Sequence, residues 1–495
     1  MIMIALQKKV DAPTLLLIGG IIFWIALYAI IGPQTLGDDG FYFKDSGINL
    51  AIGKGLREVG TCGNPSLEYK YYAHYPPVYP FLYGLYVSVV GIGDYQNTYF
   101  NLLLQIARAI LIFMIVVRYG TDWTPNQKLI ITGILVLFLP SANTYDRPED
   151  LVIVLFLVSL LFYLQRQPEA VFLVAGLNLM TSPVCGLISA VILLGIYFHD
   201  VFKEKVDWKI FSEKSYPVLY VLVFPVIIIA ILAFLDTSIF ERFYNYVKLM
   251  REKIRPPGID YLKFLITDRM FISVISFYSF LVALIFGIFI AGFAYKASEK
   301  TLASFILLVI GLVTLLNWEG RMNYYQHFSA HSLLIGIYIL MLKVEKLESV
   351  RNKSFALFFG LLVLLGTPST IRDVYVRFFP MNREKYESAK EQVRKFFKDK
   401  PKDFIQASPQ YYFFLKDINP KICADIIFED KYSPKYIVEY PQRKDSIIVL
   451  RSRLYRKVFE TETSVPNPQN TFWERLLMRP HETWYPVIYE RIDEQ

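Results

Sequence analysis

Asp38 and Asp39 are adjacent carboxylates, and they follow a run with no charged residue between Ala12 and Gly37. About 20 such residues cross a bilayer. Gly37-Asp38-Asp39-Gly40-Phe41-Tyr42 is therefore expected at a membrane face. Carboxylates placed there can take a proton from a hydroxyl or hold a metal ion. One acid is enough for a base, which leaves its neighbour to hold a second hydroxyl or a divalent cation such as Mg or Mn. The same residues also read as a solvated loop that stops the helix.

Other polar segments add candidates. Tyr145-Asp146-Arg147-Pro148-Glu149-Asp150 sits between two apolar runs. Asp146 and Glu149 can meet a substrate, although Glu149 and Asp150 also suit the acidic start of a helix. Arg321 precedes His327 and His331, which are four apart and share a helix face. The planar fork of Arg321 suits a phosphate. The spacing of the two histidines suits a metal, but no third ligand of the zinc-protease type accompanies them. The segment 236–269 is rich in Lys and Arg, including Arg251 and Arg255, and is a candidate for an anionic lipid-linked ligand or simply a solvated surface. His74 and Tyr75 stand in Tyr72-Ala73-His74-Tyr75-Pro76-Pro77, where the prolines forbid a regular helix. Arg108 lies inside the second apolar run, where a cation needs an acid or a function.

The elements that must hold these residues are membrane spans. The chain is 495 residues long, 54% apolar and only 19% charged, with a mean hydropathy of +0.36. Aromatics reach 16%, which favours membrane interfaces. The net charge of +8 is read as cytoplasmic Lys and Arg and contact with lipid headgroups, and no basic-aromatic stripe points to nucleic acid. Basic residues such as Lys8, Lys203, Lys205, Lys296, Lys300 and Lys346 place one set of loops in the cytoplasm. The uncharged run 170–198 has basic flanks, so it must be a hairpin broken near Thr181-Ser182-Pro183. Val78–Gly91 is then a re-entrant or amphipathic surface helix. The count is about eleven transmembrane helices, with the amino end inside and the carboxyl end outside.

This topology gathers the polar candidates on the extracytoplasmic side, in loops 33–96, 141–150, 236–269 and 317–326. Residues 1–370 form the membrane domain. Residues 371–495 form a small extracytoplasmic α/β domain. In it, Tyr386, Ala389, Val393 and Phe396 have helical spacing, and 404–407, 422–428, 436–438 and 447–450 read as strands. Cys62 and Cys423 share a compartment, which permits a disulfide, while Cys185 reads as a core residue.

The order of these motifs resembles the GT-C-fold glycosyltransferases. Asp38-Asp39-Gly40-Phe41-Tyr42 looks like their acidic-pair-x-x-Tyr signature after the first span, and Asn49-Leu50-Ala51-Ile52-Gly53-Lys54-Gly55 like the helix that follows. Tyr75-Pro76-Pro77-Val78-Tyr79-Pro80 is similar to their surface helix. Glu149, Thr181-Ser182-Pro183 and Arg321–Gln326 fall in the family's order. The branch resembled is that of protein O-mannosyltransferases and lipid A aminoarabinose transferases, over residues 13–370. Asp39 departs from the Glu commoner there.

The resemblance implies an inverting transfer of a sugar from a polyprenyl-phosphate donor to a hydroxyl of a glycolipid, polysaccharide or protein, at the outer face of a bacterial inner or plasma membrane. It implies Asp38 as the base and Asp39 as its helper or a metal ligand. Tyr42, His74, Tyr75, Asp146, Glu149, Arg251, Arg255, Arg321 and His327 are the expected substrate contacts. No cofactor beyond a divalent cation is implied. Two rivals stand beside this reading. The basic segment 236–269 also fits an O-antigen ligase or polymerase using a lipid diphosphate. A lipid-linked sugar flippase would show two related halves, which the sequence lacks.

Overall fold

The computed structural model describes residues 11–33, 38–56, 76–120, 123–138, 147–203, 208–235, 241, 244, 271–320, 323–342, 344–378, 382–398, 400, 405–408, 411, 412, 415, 422, 423, 434–439, 446–450, 453–461 and 486–492. The helices are α1 (Ala12–Ile30), α2 (Asp38–Ala51), α3 (Val78–Val90), α4 (Asp94–Ile112), α5 (Pro125–Phe138), α6 (Glu149–Leu164), α7 (Pro168–Leu179), α8 (Pro183–Lys203), α9 (Trp208–Ser215), α10 (Val223–Leu235), α11 (Phe271–Lys296), α12 (Lys300–Gly320), α13 (Asn323–Met341), α14 (Glu348–Phe378) and α15 (Arg383–Phe397). A π-helical turn, Phe113–Arg118, prolongs α4, and a 3-10 segment, Tyr216–Leu222, joins α9 to α10.

The chain is a polytopic α-helical membrane protein. Among the described residues, seven helical stretches are long and apolar enough to cross a bilayer: Ala12–Ile30, Asp94–Arg118, Pro183–Phe202, Phe211–Leu235, Phe277–Lys296, Lys300–Asn317 and Val350–Thr367. In hydrocarbon every backbone N–H and C=O must be satisfied within the segment, which is why these runs are helical. The sequence expectation of about eleven counts shorter runs too. Of these, α5, α6 and α7 have 14, 16 and 12 residues, below the roughly 20 of an upright crossing. The 19 residues of α13 open on a polar turn. The 13-residue α3 stands where the surface helix is expected.

Two compact units divide the chain. The first comprises residues 1–25, 103–144 and 148–369. In it α11 lies along α13 and against α12, while α8 contacts α7, α12 and α13. A Cβ at Gly336 of α13 would stand 2.5 Å from Ile192 of α8, so the missing side chain lets these helices approach. The hairpin breaks at Thr181 and Ser182, between α7 and α8, where the ring of Pro183 fits a first helical turn. Asn178 braces that break by donating to Val152 O at 3.2 Å and Ser189 Oγ at 3.1 Å.

The second unit comprises residues 26–102, 145–147 and 370–495. Here α2 and α3 cross at two glycines. A Cβ at Gly47 would lie 2.4 Å from Pro80 O, and one at Gly84 2.7 Å from Gly47 O. The carboxyl-terminal segment contains β1 (Ile405–Ala407), β2 (Ile422–Cys423), β3 (Tyr436–Glu439), β4 (Ile447–Leu450), β5 (Arg453–Glu460) and β6 (Val487–Arg491). They form one sheet in the order β2-β1-β3-β6-β5-β4. β1 is parallel to β2 and β3, and the other pairs are antiparallel. Ile437, Ile448, Tyr455, Val487 and Tyr489 form a core cluster of the sheet.

On α15, Tyr386, Ala389, Val393 and Phe397 are buried. Phe397, one place beyond the expected Phe396, completes that stripe. Both rings meet Tyr436 edge-on, at 6.2 Å for Phe396 and 5.5 Å for Phe397. Asn382 caps the helix by accepting from the Lys385 N–H at 3.0 Å. Cys62 lies outside the described residues, and with it the disulfide to Cys423 that a shared compartment permits.

Candidate active site

Asp38 and Asp39 open α2. Unpaired backbone N–H groups in a first helical turn favour negative charge, and both residues belong to that turn. Their side chains, and that of Tyr42, lie outside the described residues. The next two turns are described in detail, and they are polar and closed to solvent. Lys44, Asp45, Ser46 and Asn49 are all wholly buried.

Lys44 Nζ donates to Asn97 Oδ1 and, at 3.4 Å, to Asn101 Oδ1, both on α4. It also lies 5.1 Å from the centre of the Tyr83 ring of α3, where a buried cation is attracted to the aromatic face. Asp45 accepts from the Tyr412 hydroxyl at 2.5 Å and from Asn49 Nδ2 at 3.3 Å. Burial, and then the charge of Asp45, push the Tyr412 phenol well above its usual value. Before α2 leaves this setting, Phe43 meets the edge of Tyr79, and the Arg147 guanidinium lies 5.3 Å from the Phe43 ring.

A second buried polar group belongs to the first unit. Glu149 and Asp150 form the first turn of α6, and both are buried. Asp150 Oδ1 pairs with Arg108 Nη1 at 3.4 Å, which supplies the acid that Arg108 required. On α13, His327 and His331 are fully buried, with ring centres 4.4 Å apart. His331 Nδ1 hydrogen-bonds the His327 carbonyl at 2.9 Å. Neither ring nitrogen of His327 has a hydrogen-bond partner among the described residues, and the same holds for Gln326 Oε1 and Ser332 Oγ. Asn317 Nδ2 donates to Ser329 Oγ at 2.8 Å, which ties α12 to α13.

Of the candidates read from sequence, Glu149 and His327 are thus placed as buried members of the first unit. His74, Tyr75, Asp146, Arg251, Arg255 and Arg321 lie outside the described residues, and α13 begins two positions after Arg321. No group of three His, Cys, Asp or Glu side chains converges among the described residues. The divalent cation expected at Asp38 and Asp39 concerns side chains outside that set.

Sequence reasoning missed Lys44, Asp45, Asn97, Asn101 and Tyr412. One signal was available. Asn97, Asn101, Gln105 and Arg108 recur every three or four places along α4, a polar stripe that hydrocarbon tolerates only when it is buried. Tyr412 carried no such signal.

No family model matches the chain, and no curated protein matches it. Among solved structures it is similar to ArnT from Cupriavidus metallidurans in the apo state, with 14% identity and a TM-score of 0.46 over 95% of this chain and 97% of that one. The same protein bound to undecaprenyl phosphate gives 13% identity and a TM-score of 0.46, over 96% and 97%. The oligosaccharyltransferase of Archaeoglobus fulgidus in its apo form gives 12% identity and a TM-score of 0.45, over 87% of this chain and 70% of that one.

Proposed function

We propose that this chain is a membrane glycosyltransferase that moves a sugar from a polyprenyl-phosphate donor to an acceptor hydroxyl at the extracytoplasmic face. One observation carries the reading. Two consecutive carboxylates open a helix that follows directly on a membrane span, and the next two turns of that helix are fixed by buried hydrogen bonds. A base for lipid-delivered substrates needs this combination of access to the membrane surface and a rigid mount.

In this reading Asp38 accepts the proton of the acceptor hydroxyl as its oxygen attacks the anomeric carbon. The bond from that carbon to the phosphate oxygen breaks, and its electron pair leaves on the polyprenyl phosphate. A single displacement of this kind inverts the anomeric centre. Arg321 meets the phosphate and offsets its growing charge. Asp39 orients the acceptor or holds a divalent ion, which would add charge stabilisation at the phosphate. His327, with Gln326 beside it in sequence and Ser332 five residues on, offers hydrogen bonds to a polar group of the donor. The acceptor is a glycolipid, a polysaccharide or a protein.

The test uses purified protein in nanodiscs with a polyprenyl-phosphate sugar. Asp38→Asn keeps the shape of the side chain but cannot take the proton. Its turnover should fall by roughly 100-fold or more, the scale of a lost general base, with donor binding intact. Near-normal turnover by both Asp38→Asn and Asp39→Asn would remove the pair from the mechanism. The ligase reading, which draws on the basic segment 236–269, would then lead.

A further inference from the structure

Tyr412 belongs to the carboxyl-terminal segment, yet its hydroxyl ends on the helix that carries Asp38 and Asp39. The bond to Asp45 Oδ1 is 2.5 Å long, and neither side chain has any exposed surface. The spacing from Asp38 to Asp45 to Asn49 is i, i+7, i+11. The register of α2 therefore places these three residues on one face, and Asn49 donates to Asp45 along it.

The mount of Tyr412 is rigid. It follows β1, which has parallel partners on both sides, β2 and β3. The Ser408 N–H extends that pairing by donating to Val438 O at 2.9 Å, and its hydroxyl donates to Glu439 at 3.0 Å. The Tyr411 N–H then closes a turn onto Ser408 O at 2.9 Å. Tyr411 and Leu415 are buried beside it. Backbone hydrogen bonds of Ser408 and Tyr411 thus tie the sheet to the residue that precedes Tyr412.

A second tether acts on the next residue of the same helix, where Lys44 reaches Asn97 and Asn101. Consecutive helical residues point about 100° apart. A helix held on one side can still roll, whereas one held on two such sides cannot. A roll of about 20° carries a side-chain end some 5 Å from the axis through roughly 2 Å. A misplacement of about 1 Å can cost a reaction on the order of 100-fold.

We propose that Tyr412 is a positioning residue for the α2 carboxylates. Through Asp45, the carboxyl-terminal domain fixes the roll of α2 and with it the aim of Asp38. The proposal rests on Asp38 being the base, and it gives a domain without an evident reactive group a direct hold on the rate.

The experiment compares full-length Tyr412→Phe, Asp45→Ala, Asp45→Asn and Asp38→Asn in nanodiscs, measuring kcat, donor KM and thermal unfolding. Tyr412→Phe should lower kcat by about 10- to 100-fold with donor KM unchanged. The loss should exceed any loss of folded protein. Asp45→Ala should match it, and Asp45→Asn, which keeps an acceptor for the phenol, should recover part of the rate. Tyr412→Phe also takes one hydrogen-bond donor from a buried carboxylate. If that variant does not fold, Tyr412→Phe with Asp45→Ala removes both ends and should still be slow. A wild-type kcat in Tyr412→Phe or in the double variant overturns the proposal. So does a rate loss that only tracks unfolded protein, or an Asp45→Asn as slow as Asp45→Ala. If Asp38→Asn is inactive while Tyr412→Phe is fully active, positioning alone is refuted. If Asp38→Asn is active, the base assignment falls and the proposal falls with it.

Discussion

On α2, Lys44 and Asp45 end on partners supplied by α4 and by the carboxyl-terminal segment. On α13, Gln326, His327 and Ser332 are also buried, and they keep polar atoms that no described residue meets, as does Ser46 with its Oγ on α2. A buried polar atom left unpaired costs about 1–3 kcal/mol. Lys44 and Asp45 therefore use their polarity differently from these three residues of α13. Lys44 and Asp45 tie α2 to its neighbours, and the α13 atoms are those that the proposed function assigns to the donor.

The largest effect should come from the ion pair that anchors the start of α6. Arg108→Met removes the cation from a buried carboxylate. Breaking such a pair from one side costs about 3–5 kcal/mol. Thermal unfolding in detergent should show it as a large drop or as failure to purify folded protein. An unchanged midpoint would mean that Arg108 is held for function and adds nothing to the fold, which would move it to the α13 side of the comparison.

Next comes the α2 mount. Lys44→Met takes a donor from Asn97 and Asn101 and should cost about 1–3 kcal/mol. Gly47→Ala should also disturb it, because a methyl group 2.4 Å from Pro80 O forces α2 and α3 apart. Overpacking of this kind costs about 1–3 kcal/mol. Both variants should lose rate beyond their loss of folded protein, since both release the roll of α2. A Gly47→Ala protein with full stability and full rate would show that the close crossing is incidental.

Much of this arrangement was legible in the sequence. The long apolar runs, the break before Pro183 and the stripe of α15 follow from periodicity and proline chemistry alone. Strands β1 to β4 were marked by short apolar runs between turns. Strands β5 and β6 were not, because Arg453, Arg456 and Lys457 interrupt the alternation and a bulge shifts the register between Lys457 and Phe459. The carboxylate pair announced itself by position. Its mount did not, because Asp45 and Tyr412 stand 367 residues apart and each alone is an ordinary polar residue. Arg108 was visible as a cation that required an acid, but spacing alone did not single out Asp150.

A smaller effect is expected at alkaline pH. Tyr386 donates to Asp94 at 2.6 Å, and burial followed by the Asp94 charge raises its phenol above the usual value near 10. The folded protein holds the proton that the unfolded chain gives up from about pH 10. This contribution to stability is therefore complete below that pH and lost as pH rises above it. Tyr386→Phe should flatten the alkaline limb of a stability–pH curve without changing its shape near neutrality. A limb as steep as that of the wild type would assign it to other groups.

The smallest stability change, and the sharpest contrast, should come from His327. Replacing a side chain whose polar atoms are paired removes bonds and costs free energy. Replacing one whose atoms are orphaned removes a penalty. His327→Leu should therefore leave thermal stability within about 1 kcal/mol of wild type, or raise it slightly, because the desolvated imidazole no longer goes unmatched. Activity should move the other way. If the imidazole is completed by the donor, His327→Leu should raise donor KM or lower affinity in a direct binding assay, while protein folding and the α2 mount stay intact. The lost hydrogen bond to a polar ligand group corresponds to about 0.5–1.5 kcal/mol, or roughly 2- to 12-fold in affinity. A variant that is destabilised by several kcal/mol would show that His327 is already paired within the fold. The distinction drawn between α2 and α13 would then collapse into two versions of the same structural network. A variant with unchanged stability and unchanged donor affinity would instead assign the orphaned atoms to ordered water.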